Sequence, residues 1–178
     1  MKKIILFYLS MLILYSCGPS LQTFSDYDKA VDLSAYKTYS WLDVASIENK
    51  GVSPLYNKEL NDKRIKEAVN KQMQLKRYQL NPDKAELQLH YHIIIENKTT
   101  EITEPIGVQY RPYSNTYRTS TYQYREGTLI VDLMDTKTNI LIWRGWATDV
   151  ITNTTRKDPE AAINNAITKI FESFPVGK

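Results

Sequence analysis

Alternation of apolar and polar residues constrains the fold of this chain more than any other feature. In residues 85–95 the odd positions are held by Ala85, Leu87, Leu89, Tyr91, Ile93 and Ile95, and Glu86, Gln88, His90 and His92 lie between them. Side chains of a β-strand point alternately to opposite faces, so this pattern predicts a strand with one buried and one open face. Such a strand must belong to a sheet whose buried face is covered by other elements.

A hairpin is predicted further along, from residues 127–134 and 140–151, because the link at residues 135–139 is rich in turn-forming side chains. Its inward side chains are predicted to be Leu129, Val131, Leu133, Leu141, Trp143 and Ala147. Gly145 shares that face, where the lack of a side chain would let a helix approach closely. Asp132 and Arg144 are expected on the opposite face as a surface ion pair. Residues 24–41 add two weaker strand signals.

Two helices are predicted. Residues 57–78 lack Gly and Pro and are rich in helix formers, with apolar side chains at Leu60, Ile65, Ala68, Val69, Leu75 and Tyr78. Near the C-terminus Asp158 suits an N-cap and Pro159 the first helical position, before an apolar stripe that ends at Pro175. The order β-β-α-β-β-β-α predicts an α+β fold, with a mostly antiparallel sheet of about five strands and two helices packed on one face.

Residues 1–16 have the pattern of a secretory signal peptide. Lys2 and Lys3 precede an apolar run of twelve residues, 4–15. Twelve helical residues reach about 18 Å, which is short of the roughly 30 Å hydrocarbon core of a bilayer. We therefore expect a cleaved signal peptide rather than a membrane-spanning helix.

The segment Leu14-Tyr15-Ser16-Cys17 resembles a bacterial lipobox, in which a small residue directly precedes the modified cysteine. The resemblance implies cleavage after Ser16, an S-diacylglycerol group on Cys17 and an acyl group on its new amine. The alternative is an ordinary secreted protein, but Cys17 is the only cysteine and a lone thiol suits an oxidising compartment poorly. We expect residues 17–23 to form a lipidated tether and residues 24–178 a single domain.

Charge and the residues after Cys17 bear on location and partners. Without Lys2 and Lys3 the chain has 21 Lys and Arg against 20 Asp and Glu, a formal charge of +1. This balance offers no electrostatic footprint for nucleic acid. Neither an aspartate nor an acidic cluster follows Cys17. By the retention rules of well-studied envelopes, we expect an outer-membrane anchor with the domain facing the periplasm, and surface exposure as the alternative.

His90 and His92, the only histidines, lie two residues apart on the polar face of the predicted strand. This spacing can place two imidazoles on one metal ion, and a further ligand would have to come from a carboxylate such as Glu86. Solvated polar side chains on an open sheet face are the commoner explanation. We expect no metal and no cofactor.

Residues 110–125 interleave tyrosine with arginine, at Tyr110, Arg111, Tyr113, Tyr117, Arg118, Tyr122, Tyr124 and Arg125. Tyrosine supplies rigid contact area with a polar tip, and arginine stacks on aromatic faces. These residues are a candidate contact surface for an envelope protein, a glycan or lipid headgroups. The alternative is a mobile loop, or a long twisted hairpin whose tyrosines pack on each other.

Several strings resemble the DUF4136 family, a domain of unknown function found in bacterial lipoproteins. They are Asp26-Tyr27-Asp28, Tyr36-Lys37-Thr38-Tyr39, Leu89-His90-Tyr91-His92, Gly127-Thr128-Leu129 and Leu141-Ile142-Trp143-Arg144-Gly145-Trp146-Ala147. The resemblance implies an envelope lipoprotein of diderm bacteria and supplies no catalytic residues.

The sequence carries no Gly-x-Ser-x-Gly, His-Glu-x-x-His or phosphate-binding glycine motif. We therefore expect a non-enzymatic binding or structural module, held to the membrane by its lipid. The alternatives are an accessory lipoprotein of a lipid or efflux transport assembly and an envelope hydrolase. A hydrolase would need convergent, perturbed carboxylates in a pocket.

Overall fold

The computed structural model describes residues 21–42, 58–105 and 117–175. Six strands are present in these ranges: β1 (Gln22–Tyr27), β2 (Thr38–Trp41), β3 (Gln79–Leu80), β4 (Leu87–Pro105), β5 (Tyr117–Asp135) and β6 (Leu141–Val150). A single 3-10 turn (Leu33–Ala35) lies between β1 and β2. The α-helices within the described residues are α1 (Lys58–Leu75), α2 (Asn153–Lys157) and α3 (Pro159–Glu172).

All six strands form one sheet in the order β1-β6-β5-β4-β2-β3. The pairs β1–β6, β6–β5 and β5–β4 are antiparallel, whereas β2 runs parallel to both β4 and β3. The predicted mixed α+β class and the helices on one face are confirmed. The predicted count of five strands and two helices is wrong, because β3 has two residues and α2 has five, which is too short for a periodic pattern to show.

The helices α1 and α3 lie side by side and run in the same direction. Arg64 is near Glu160 at one end of the pair, and Gln72 hydrogen-bonds Thr168 further along. The Asp158 side chain accepts a hydrogen bond of 2.9 Å from the backbone N–H of Ala161, so the predicted N-cap is confirmed.

The core between sheet and helices is centred on Trp143 of β6, Phe171 of α3 and Phe174, which follows the end of that helix. The Trp143 ring lies 5.3 Å from Phe171 and 4.9 Å from Phe174, measured between centroids. Gly145 faces the same layer, and a Cβ atom there would lie 2.6 Å from Ile170 Cγ2 and from the Trp143 ring. Its lack of a side chain therefore allows α3 to pack directly on β6, as predicted.

The predicted inward position of Leu141 is wrong. A β-bulge pairs Leu133 with Trp143 but Met134 with Leu141, which leaves Ile142 as the extra residue. Ile142 is buried while Leu141 is exposed, because the bulge shifts the alternation by one position. Two of the apolar positions predicted for α1, Leu60 and Leu75, are also exposed. Met73 of the same helix is buried in the core instead.

Candidate functional site

Several predicted site residues lie outside the described residues: Ser16, Cys17, Tyr110, Arg111 and Tyr113. The strand β1 begins at Gln22, two residues inside the segment predicted as the tether. Within the described ranges, none of the helices combines the length and the apolar character that crossing a bilayer requires.

The tyrosine-rich segment that is described belongs to a long two-stranded arm. Strands β4 and β5 pair from Asn97↔Arg125 to Pro105↔Tyr117, beyond the point where β6 stops at the pair Glu126↔Val150. We call residues 97–105 and 117–125 the arm. For the described part, an extended strand is the correct alternative to a loop.

Side chains of the arm face solvent on both sides. Tyr122, Tyr124 and Arg118 share one face by alternation, and Tyr117 lies on the other. Tyr117 is 60% exposed and Tyr122 is 50% exposed. Among the described residues, none of the three tyrosines contacts another aromatic ring, so the alternative in which the tyrosines pack on each other does not hold there.

The two histidines lie with a carboxylate on the sheet face opposite the helices. His90 pairs across the sheet with Asp132, and Asp132 pairs with Arg144. His92 Nε2 lies 3.6 Å from Asp132 Oδ2, and the two imidazole rings meet edge to face at 4.0 Å. Ligand atoms of these two histidines and Asp132 lie within 4.8 Å of one another.

The carboxylate of this cluster is not the one that the sequence suggested. Glu86 accepts hydrogen bonds from the backbone N–H groups of Lys37 (2.6 Å) and Thr38 (3.2 Å) and so joins the chain before β4 to β2. These backbone hydrogen bonds hold the pKa of Glu86 below its usual range. Asp132 takes its place because antiparallel pairing brings it opposite His90.

The charges in this cluster compensate one another. Arg144 donates Nε–H and Nη2–H to the two oxygens of Asp132, each at 2.6 Å, and these hydrogen bonds raise the pKa of Arg144. Burial, and then the neighbouring His92, lower the pKa of His90 and favour its neutral form. A cation at this position would compete with the guanidinium for the oxygens of Asp132. The geometry therefore fits a closed polar network better than a metal centre.

A cavity of about 370 Å³ lies at the other side of the sheet, where α1 and α3 begin. Its walls are the inner face of β4, β5 and β6 and the first turns of the two helices, with Gly127, Ala147, Ala162 and Ala166 where larger side chains would fill the space. The charged side chains of the lining are Arg64, Arg125, Arg156 and Asp149. Sequence reasoning missed this site, and the small residues at inward positions were its one local signal.

The described lining of the cavity is mostly apolar and holds few titratable groups. Asp149 is the single carboxylate among the described lining residues, so no pair of carboxylates converges there. Asn61 is buried beside the cavity and accepts a hydrogen bond of 2.9 Å from Arg64 Nη1. The arrangement offers an apolar volume with cationic groups around it.

Known proteins extend these observations. The family model for a domain of unknown function, DUF4136, matches residues 23–176. No curated protein matches the chain.

The solved structures that share the fold include two with TM-scores above 0.5. A DUF4136 family protein from Bacteroides thetaiotaomicron superposes with a TM-score of 0.57 at 19% identity, covering 89% of this chain and 98% of that one. A PDZ domain protein from Parabacteroides distasonis gives a TM-score of 0.58 at 11% identity and covers 96% of this chain. This chain spans 40% of the length of that protein. At these identities the likeness concerns the fold alone.

Proposed function

This chain belongs to the DUF4136 family, and from that premise we propose that it is a lipid-anchored, non-enzymatic binding module of the bacterial envelope. In this proposal Cys17 carries the lipid after cleavage at Ser16, and the domain faces the periplasm from the outer membrane. Several acyl chains on one residue supply a stable anchor, whereas a single chain binds a bilayer only marginally.

The observation that carries the binding role is the arm. Nine residue pairs extend beyond the three-stranded part of the sheet, from Asn97↔Arg125 to Pro105↔Tyr117. An isolated two-stranded ribbon is marginally stable in water and adds little to a hydrophobic core. The stability of the domain therefore does not explain the length of the arm, and this supports a role for the arm in contact with another molecule.

The chemistry of the arm favours a protein partner. Exposed Tyr122 and Ile102 supply apolar contact area, and Arg118 lies among them on the same face. Tyrosine and arginine are enriched at the centres of protein interfaces, where they contribute much of the binding energy. A glycan stacked on the tyrosines is the competing partner.

A second candidate function is that of an accessory lipoprotein in a lipid transport assembly. The apolar cavity at the start of α1 and α3 favours it, because its volume falls within the range of small-molecule sites.

The anchor is tested by growing cells with an alkyne-bearing palmitate. The native chain is expected to incorporate the label and to lose residues 1–16, whereas Cys17→Ala should remain an unlabelled, uncleaved precursor. Equal labelling of the variant would contradict the assignment of Cys17 as the lipid-bearing residue.

The arm is tested by replacing Tyr122 with a photoreactive benzophenone amino acid in living cells. We expect discrete adducts with an envelope protein. Tyr27, a partly exposed tyrosine of β1, is the matched control and should give none. An adduct that glycan-cleaving enzymes release would identify the competing partner, and equal adducts at both positions would refute a contact specific to the arm.

A further inference from the structure

We propose that the cavity at the start of α1 and α3 holds the acyl chain of a single-chain anionic amphiphile, a fatty acid or a lysophospholipid, with its charged group at the arginines. The inference rests on the proposed function for the source of this ligand, which is the membrane that bears the anchor.

The walls suit a hydrocarbon chain. Aliphatic side chains from the sheet and both helices line the cavity: Ile65, Ile93, Ile95, Leu129, Ile151 and Ile163. A methylene group occupies about 30 Å³, which is close to the volume of one water molecule in the liquid. The cavity of about 370 Å³ therefore holds about a dozen methylenes, which is one acyl chain rather than two.

The charges around the cavity select an anion. The lining contains three arginines and one carboxylate, Asp149, so it has an excess of two positive charges. Arg64 already contacts Asn61 at 2.9 Å and Glu160 at 3.9 Å. By contrast, the side chains of Arg125 and Arg156 have no hydrogen bond or ion pair within the described part of the chain. Guanidinium groups bind carboxylates and phosphates through charge-assisted, often bidentate hydrogen bonds.

One residue of the cavity lining is close in sequence to the proposed lipid attachment site. Leu21 contributes to the lining, and Cys17 precedes it by four residues. Four residues span at most about 14 Å when fully extended. A lipid on Cys17 therefore keeps one wall of the cavity within that distance of the membrane surface, where fatty acids and lysophospholipids are released.

The test uses the full lipidated chain in phosphatidylcholine vesicles and three probes with a diazirine near the end of the same acyl chain. They are palmitic acid, the corresponding lysophosphatidylglycerol, and methyl palmitate. Photolysis and peptide mass spectrometry are expected to place adducts of one or both anionic probes on β4, β5 and α3 beside the cavity. The anion that labels identifies the source. Equal labelling by the uncharged methyl ester, or adducts only elsewhere, would overturn the proposal.

Filling the cavity should abolish the labelling. Ala162→Trp places a large side chain in the space, and Ala161→Trp, on the exposed side of the same helix, is the matched control. If Ala162→Trp prevents folding, as judged by circular dichroism, Ala166→Met fills part of the same space. Loss of labelling with a filler but not with the control is expected, and undiminished labelling in a folded filled variant would refute the site.

Reversing the cationic charges should weaken the labelling by the anions. Arg125→Glu combined with Arg156→Glu is expected to raise the probe concentration for half-maximal labelling about tenfold or more, since one charge-assisted hydrogen bond contributes about that factor. Arg118→Glu on the arm serves as the control and should leave it unchanged. An unchanged concentration in the double variant would remove the proposed role of the arginines.

Parallel labelling of the Cys17→Ala precursor separates this inference from the proposed anchor. Cavity adducts in both forms support the inference even if Cys17 carries no lipid. An acylated Cys17 without cavity adducts refutes the inference and leaves the anchor standing. Adducts in the precursor alone would mean that the chain's own acyl group fills the cavity, which also overturns the proposal.

Discussion

Removal of Arg144 is expected to destabilise the domain more than removal of its partner Asp132. The two side chains form a bidentate ion pair, but their environments differ. Asp132 is 6% exposed and Arg144 is 43% exposed at the side chain. Arg144→Ala therefore leaves a buried carboxylate without its main partner, whereas Asp132→Ala leaves a guanidinium that water can reach.

The magnitudes follow from this asymmetry. Loss of one member of a buried pair costs about 3–5 kcal/mol when the other stays buried. His92, 3.6 Å away, offers Asp132 partial compensation, so we expect about 3 kcal/mol for Arg144→Ala. For Asp132→Ala we expect about 1 kcal/mol, because the exposed arginine regains hydration. For a domain of this size, the loss of about 3 kcal/mol in Arg144→Ala corresponds to a fall in Tm of roughly 6–12 °C.

Urea unfolding followed by tryptophan fluorescence measures these free energies, provided that the m-value is unchanged. Lys98→Ala is the control, because Lys98 lies 2.6 Å from Glu96 in an equally short pair that is exposed on both sides. Because both charges stay accessible to water, Lys98→Ala should leave the free energy of unfolding nearly unchanged. The double variant of Asp132 and Arg144 should be more stable than Arg144→Ala alone. A larger loss from Asp132→Ala than from Arg144→Ala would refute the argument from burial.

Three further predictions concern the core and the histidines. Gly145→Ala should cost about 1–3 kcal/mol in urea unfolding, because the new methyl group clashes with Ile170 and the Trp143 ring; combining it with Ile170→Ala should give less than the sum of the two costs, and strict additivity would exclude the clash. Phe171→Asp should cost about 3–5 kcal/mol or undock α3, and an unchanged Tm would show that this stripe is not packed. Since the pKa of His90 is lowered from its ordinary value of 6.5, the unfolded chain binds the proton more readily, and stability should fall as the pH drops below about 6.5. His90→Gln should make this loss smaller, and an identical pH dependence in both proteins would argue against His90 as its origin.

Most of the fold could be predicted from local patterns. Alternation in residues 85–95 identified the inner part of β4, and the Asp158 cap with its apolar stripe identified α3. The same reasoning stopped β4 at Ile95, although the strand continues to Pro105, because the exposed arm has no buried face to impose alternation. The bulge at Ile142 was invisible for a related reason: it depends on how β5 and β6 pair and not on either strand alone.

The candidate site was predicted only in pieces. The spacing of His90 and His92 correctly placed both on one face, but the choice of carboxylate was wrong because cross-strand neighbours cannot be read along a single strand. The cavity was not predicted at all. It arises where two helices and three strands, distant in sequence, leave a space that small residues do not fill.

The sequence by itself determined the main strands, the two long helices and the apolar faces of most of them. These are properties of residues within one or two turns of each other, so periodicity and capping chemistry reveal them. Tertiary structure alone decided the parallel pairing of β2, the burial of Asp132 and the formation of the cavity that three arginines line. Each of these features depends on which distant residues come together. The free energy of such contacts depends on both residues of a pair and on the packing between sheet and helices, so no single segment of the sequence reveals it.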